Sequence, residues 1–141
     1  MKILVAIDGS DNALRALDYA VGLAGKLTER GELALINVHD DAALHSASKA
    51  LGSKAVKEYL ADLSQEQMAS ALAKAAASGI PFEKVIATGP ISATIVNEAE
   101  ARQVDLIVLG TKGRGGLRDW LIGSVAQRVS ASGSVPVLLV K

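Results

Sequence analysis

Short, mostly apolar runs alternate along the chain with longer stretches in which apolar residues are spaced by three and four. Residues 2–7, 33–38, 82–87, 105–109 and 135–140 are the short runs, and they read as strands. Residues 2–7 hardly alternate, as expected of a strand buried on both faces. The stretch after it carries Leu14, Leu17, Ala20, Val21 and Ala24 on one helical face, with Ser10 or Asp11 placed to cap it. It fades through residues 26–31. Residues 54–77 form a long helical series containing Val56, Tyr59, Leu60, Leu63, Leu72, Ala75 and Ala76, ended by Gly79-Ile80-Pro81. Residues 92–102 predict a short helix and residues 123–131 the last one. Residues 40–52 fit a helix or a loop equally well. Ser64-Gln65-Glu66-Gln67 has capping-box spacing, which marks either a break in the long helix or an exposed turn of it.

Strand and helix take turns throughout, so the connections should be right-handed crossovers and the sheet parallel, an α/β fold. The chain has 141 residues, which suits one domain, 1–141, with a real core. Apolar residues make up 50% but aromatics only 3%, so the core is built from Val, Ile, Leu and Ala. That composition favours a sheet packed between helices over a sandwich.

Charge and composition remove several functions. Basic and acidic residues balance at 15 each, which disfavours a nucleic-acid partner. There is no cysteine, so thiolate chemistry and disulfides are excluded. No apolar run approaches about 18 residues, so neither a membrane span nor a signal peptide is expected, and the default location is cytoplasmic. His39 and His45 are the only histidines. Neither has a companion at metal-ligand spacing, and His39 beside Asp40 reads as a solvated strand end. No catalytic pair of carboxylates and no Ser-His-Asp order is persuasive.

The chemistry concentrates after the fourth run. Gly110-Thr111-Lys112-Gly113-Arg114-Gly115-Gly116 follows it directly and leads to Gly123-Ser124-Val125 and the last helix. Strand, glycine-rich basic loop and helix in that order bring free N–H groups and a positive helix terminus to a place where phosphate could sit. Gly110 and Gly113 permit positive φ and leave room for a close ligand. Lys112 and Arg114 add charge. Neither the P-loop pattern nor the dinucleotide fingerprint is matched, because Lys112 precedes Gly113 and Arg118 stands where the third glycine of the fingerprint belongs.

Gly110, two residues, Gly113, nine residues, Gly123-Ser124 resembles the nucleotide-binding signature of the universal stress protein family, in its ATP-binding branch. Residues 3–10 resemble the family's first strand and turn, Gly89-Pro90 with Ile95 and Ala99 its third crossover, and residues 136–140 its closing strand. The resemblance spans nearly the whole chain. It implies a doubly wound, Rossmann-like five-stranded parallel sheet of order 3-2-1-4-5 with helices on both faces. It implies ATP, or AMP or ADP after slow turnover, with Mg²⁺ or Mn²⁺ accompanying the nucleotide. The residues it assigns to the nucleotide are Ala6, Asp8, Val38, Gly110, Thr111, Lys112, Gly113, Arg114, Gly115, Gly123, Ser124 and Val125. Ala6 and Val38 would flank the adenine, Val38 through its backbone, and Asp8 would lie near the ribose, the phosphates or the metal. It also implies a homodimer formed through the closing strand, which begins at Val135 and ends at Val140.

Each of these residues has a plainer reading. Asp8 could only cap a turn. Ser124 with Gln127 has capping-box spacing, a role compatible with phosphate contact. Lys112 and Arg114 could be surface charges. Leu117, Trp120, Leu121 and Ile122 could pack back onto the domain, the reading preferred here, or form a flap or partner surface. Three functions therefore stand. The first is a dimeric, cytoplasmic, ATP-binding stress regulator with an unknown protein partner and the loop from Gly110 to Ser124 around the nucleotide. The second is a slow ATPase or phosphotransferase with Asp8 as the only nameable base. The third is a nucleotide-independent scaffold.

Overall fold

A computed structural model of the chain describes residues 1–27, 31–112 and 121–141. Its elements in order are β1 (Lys2–Ala6), α1 (Asp11–Ala24), β2 (Glu32–His39), α2 (Asp41–Leu51) and α3 (Ser53–Ser78). They are followed by β3 (Phe82–Thr88), α4 (Ile91–Ala101), β4 (Leu106–Gly110), α5 (Ser124–Ala131) and β5 (Val137–Val140). The strands form one parallel sheet of order β3-β2-β1-β4-β5. This is the doubly wound order that the resemblance implies.

The mostly apolar strands β1 and β4 follow from burial on both faces. Ile3 and Val5 of β1 point to one side, where they pack with Leu17 and Ala20 of α1 and Met68, Ala71 and Ala75 of α3. Leu4 points to the other side, among Ile36, Ile95, Val96, Ile107 and Val129, under α4 and α5. Each fully buried Leu, Ile or Met side chain contributes about 1.5–3 kcal/mol relative to exposure. The α1 face toward the sheet is mostly alanine, which lets the helix lie close. Its N-cap is Ser10, whose hydroxyl accepts from Ala13 N–H at 3.2 Å.

Residues 40–52 are ordered as helix α2. Asp40 caps it by accepting from Ala42 N–H at 2.9 Å, and Gly52 ends it at φ 86°. The structure corrects two expectations nearby. Helix α3 runs through Ser64–Gln67 without a break, and Ser64 is fully buried, so it is neither a cap nor an exposed turn. Its hydroxyl lies 2.5 Å from His39 Nε2. His39 is only 7% exposed, so it is not a solvated strand end. The physical reason is the length of β2. It continues to His39, and the alternation of the strand turns that side chain under α3 instead of toward water.

Candidate functional site

In this strand order the chain crosses over in opposite directions from β1 and β4, which leaves a crevice beyond their carboxyl ends. A cavity of about 290 Å³ lies there, on the α4/α5 side. Strand alternation decides what reaches it. Ala6 follows Leu4 on that side of β1, and Ile36 and Val38 follow Ala34 on that side of β2. These residues belong with Leu109, Ile91 and Ile95 to one apolar cluster that lines the cavity. Asp8, Ser10, Thr111, Lys112 and Ser124 are its polar lining. An apolar lining together with hydroxyls, a carboxylate and a cation suits a flat ring carrying a polar, anionic tail.

The polar lining contributed by Thr111 and the start of α5 is held by backbone bonds. Thr111 N–H donates to the Val140 carbonyl at 2.8 Å, and Gly123 N–H donates to the Thr111 carbonyl at 2.7 Å. The chain therefore leaves β4 and re-enters α5 at one point beside the cavity. Gly123 is the N-cap residue of α5 and has no side chain to occupy the cap. The first N–H groups of α5 thus begin at Ser124, Val125 and Ala126, all of which line the cavity. Ser124 is not the cap, which corrects the capping-box reading. Gln127 Nε2 donates to the Ile122 carbonyl at 3.0 Å instead. The glycine N-cap leaves the Ser124 hydroxyl outside the capping role.

Gly110 is required for a reason other than the one its sequence context suggested. It is not among the residues with positive φ. A Cβ there would lie 2.8 Å from the carbonyl carbon of Asn12, so the glycine lets the start of α1 pack against the end of β4. Gly9, in the turn after β1, does take positive φ, at 83°. In that turn Ser10 N–H donates to Asp8 Oδ1 at 2.9 Å. Asp8 is therefore a turn cap and a cavity wall at once, with the bond engaging one of its two oxygens.

Ala6, Asp8, Val38, Gly110, Thr111, Lys112, Gly123, Ser124 and Val125 all line this one cavity. Gly113, Arg114 and Gly115 lie outside the described residues, as do Gly116, Leu117 and Trp120. Leu121 and Ile122 are 37% and 42% exposed. Sequence reasoning missed Ile36, Ile91, Ile95 and Leu109 as cavity walls. Strand alternation from Ala6 and Val38 would have found Ile36. His39 and His45 are not among the lining residues. No group of three or more His, Asp or Glu among the described residues could hold a metal ion. Asp8 with its neighbouring hydroxyls fits a cation only if phosphate oxygens complete the shell.

A family model, the universal stress protein family, matches residues 1–141. The chain belongs to this family. Among universal stress proteins it is 36% identical to YxiE of Bacillus subtilis over 148 residues, covering 99% of this chain and 98% of that one. The solved structure of MJ0577, from Methanocaldococcus jannaschii, superposes with a TM-score of 0.86 at 28% identity, over 99% of this chain and 94% of that one. Two more distant solved structures share the fold. One is a universal stress protein in complex with cAMP, with 24% identity, TM-score 0.68 and coverage of 99% and 95%. The other is an Arabidopsis thaliana family protein with AMP bound, with 19% identity, TM-score 0.67 and coverage of 100% and 91%.

Proposed function

We propose that this universal stress protein is a single nucleotide-binding domain that takes an adenine nucleotide, ATP in the first place, in the cavity beyond β1 and β4. The base lies against Ala6 and Val38, and the phosphates lie toward Lys112, Ser124 and the N-terminus of α5. The observation that carries this reading is one cavity lined by an apolar cluster, by Asp8, Ser10, Thr111, Lys112 and Ser124, and by the first residues of α5. The bound cAMP and AMP of two proteins with this fold support it. Gly113, Arg114 and Gly115 complete the phosphate side, and Mg²⁺ or Mn²⁺ arrives with the nucleotide, using Asp8 as its one protein carboxylate.

The protein acts as a cytoplasmic, nucleotide-responsive regulator in stress. Asp8 is the only carboxylate among the described residues that line the cavity. It has no acidic or histidine partner there, which supports binding, or slow hydrolysis at most, over efficient phosphoryl transfer. A second copy pairs along β5, an edge strand whose four residues are all half-buried.

The test is to denature purified protein and run the released material on anion exchange, then to follow melting against ATP with Mg²⁺. A retained adenine nucleotide, or a melting temperature that climbs with ATP concentration, supports the reading. If neither is seen, the cavity does not bind nucleotide and the scaffold reading replaces it. Sedimentation velocity tests the dimer: a monomer at micromolar concentration removes the β5 pairing.

A further inference from the structure

We propose that Asn37 keeps open the backbone edge that reads the base, by occupying the carbonyl group that Val38 would otherwise bind. The inference rests on the nucleotide reading of the cavity. β1 and β2 pair in register up to Ala6 opposite Ile36, and Ile7 N–H donates to the Ile36 carbonyl at 2.7 Å. In a parallel ladder the next bond would run from Val38 N–H to the Ile7 carbonyl. That bond is absent from the backbone bonds of the described residues. The Ile7 carbonyl accepts from Asn37 Nδ2 instead, at 2.8 Å.

Asn37 is 1% exposed and lies on the α3 side of the sheet, opposite the cavity. The second proton of its amide goes to Gln67 Oε1 at 2.9 Å. Gln67 packs in turn on the turn after β1, where a Cβ on Gly9 would lie 3.3 Å from Gln67 Cα. Asn37 and Gln67 thus grip both sides of the point where the chain leaves the sheet for Asp8. The arrangement leaves Asn37 Oδ1 and Gln67 Nε2 buried without partners. An apolar pair would avoid that penalty, so a role other than packing accounts for the amides.

The consequence lies on the other face. By the parity of the ladder, Val38 N–H and C=O point to the β1 side, where the chain has already turned away. They present a donor and an acceptor side by side at the cavity wall. Adenine offers the matching acceptor N1 and donor N6. Guanine offers the reverse pair, a donor N1–H and an acceptor O6. Asn37 is therefore a positioning residue for base recognition, acting through Ile7 and Val38 without touching the ligand.

The test titrates ATP, GTP and tripolyphosphate, each with Mg²⁺, into wild type and Asn37→Leu, and measures exchange of the Val38 amide in the free proteins. Asn37→Leu should weaken ATP by about tenfold, the equivalent of one hydrogen bond. It should shrink the preference for ATP over GTP and leave tripolyphosphate affinity unchanged. Equal losses for ATP and tripolyphosphate, or no loss, overturn the inference. If Asn37→Leu does not fold, Gln67→Leu should show the same split with a smaller loss, and equal losses there count against the inference in the same way. In the wild type the Val38 amide should exchange quickly without ligand. Protection in the free wild type overturns the inference even if ATP binds. Failure of wild type to bind ATP overturns the nucleotide reading and the base-recognition role with it, while Val38 exchange separately reports whether Asn37 has displaced the ladder bond.

Discussion

Among the described residues, one face of the sheet is covered at its carboxyl edge and the other holds a cavity. On the covered face α3 has 26 residues, a length of about 39 Å at 1.5 Å per residue, against about 26 Å for the eight residues of β2. It passes over the strand end and covers Asn37 and His39 with Gln67, Ser64 and Met68. On the other face α4 and α5 have 11 and eight residues and begin at that edge. Their amino termini face the crevice, and among the described residues no helix crosses it. The same strand end thus carries Asn37 and His39 into a closed polar seam and Ile36 and Val38 into a cavity. A cavity arises here from helix length and strand parity.

The largest effect should come from breaking the covered face alone. Met68 is fully buried there. Met68→Ala should cost about 2–5 kcal/mol of stability, read as a lower urea midpoint. ATP affinity of the folded fraction should stay within about threefold, well under the tenfold that corresponds to 1.4 kcal/mol. A large loss of affinity would mean that the two faces are coupled more tightly than their separate packing suggests. Ala6→Leu reverses the test. The added side chain enters the cavity, so stability should change by under about 1 kcal/mol. ATP affinity should fall at least about tenfold by titration calorimetry.

Gly110→Val acts on both regions, because its Cβ meets the Asn12 backbone where α1 packs and its backbone lines the cavity. It should destabilise by about 1–3 kcal/mol through overpacking. It should weaken ATP as well, since α1 and β4 must separate. If stability falls and binding is unmoved, the β4 end is not a wall of the site.

These contrasts indicate what could be read from sequence. The strands and helices were legible because burial on one or two faces imposes a period on the apolar residues. The crevice residues Ala6, Asp8, Val38 and Gly110 were legible through the family spacing. The strand order was legible only through the family resemblance, since periodicity fixes elements and says nothing of their neighbours. His39 and Ser64 were misread because a polar residue at a strand end or a Ser-x-x-Gln in a helix looks the same whether solvated or paired in the interior. Only the extent of α3 past the strands decides it. Gly110 was chosen for a left-handed turn and is used for a close helix contact, a tertiary cause that one glycine in a sequence does not reveal. The helix at residues 41–51 has a capping aspartate at Asp40, a signal that was present and outweighed by its small and polar composition.

The smallest effect lies at the opposite, amino end of the sheet and should leave the site untouched. Glu83 at the start of β3 pairs with Lys2 at 2.8 Å and with Arg102 at 3.1 Å. The hydrogen bond from Lys2, aided by the charges of Arg102 and Lys2, holds its carboxyl below the ordinary value of 4.5 against a smaller opposing push from burial. Because the folded value is the lower one, this group stabilises the fold above the unfolded value. That stabilisation is lost as pH falls through the folded value. The side chain is 39% exposed, so solvent screening limits the gain to under about 1 kcal/mol. Glu83→Gln should therefore lower the urea midpoint slightly at neutral pH, and the difference should shrink progressively as pH drops below 4.5. ATP affinity should be the same in both proteins at neutral pH. A difference that persists undiminished in acid would show that Glu83 acts through packing and not through its charge.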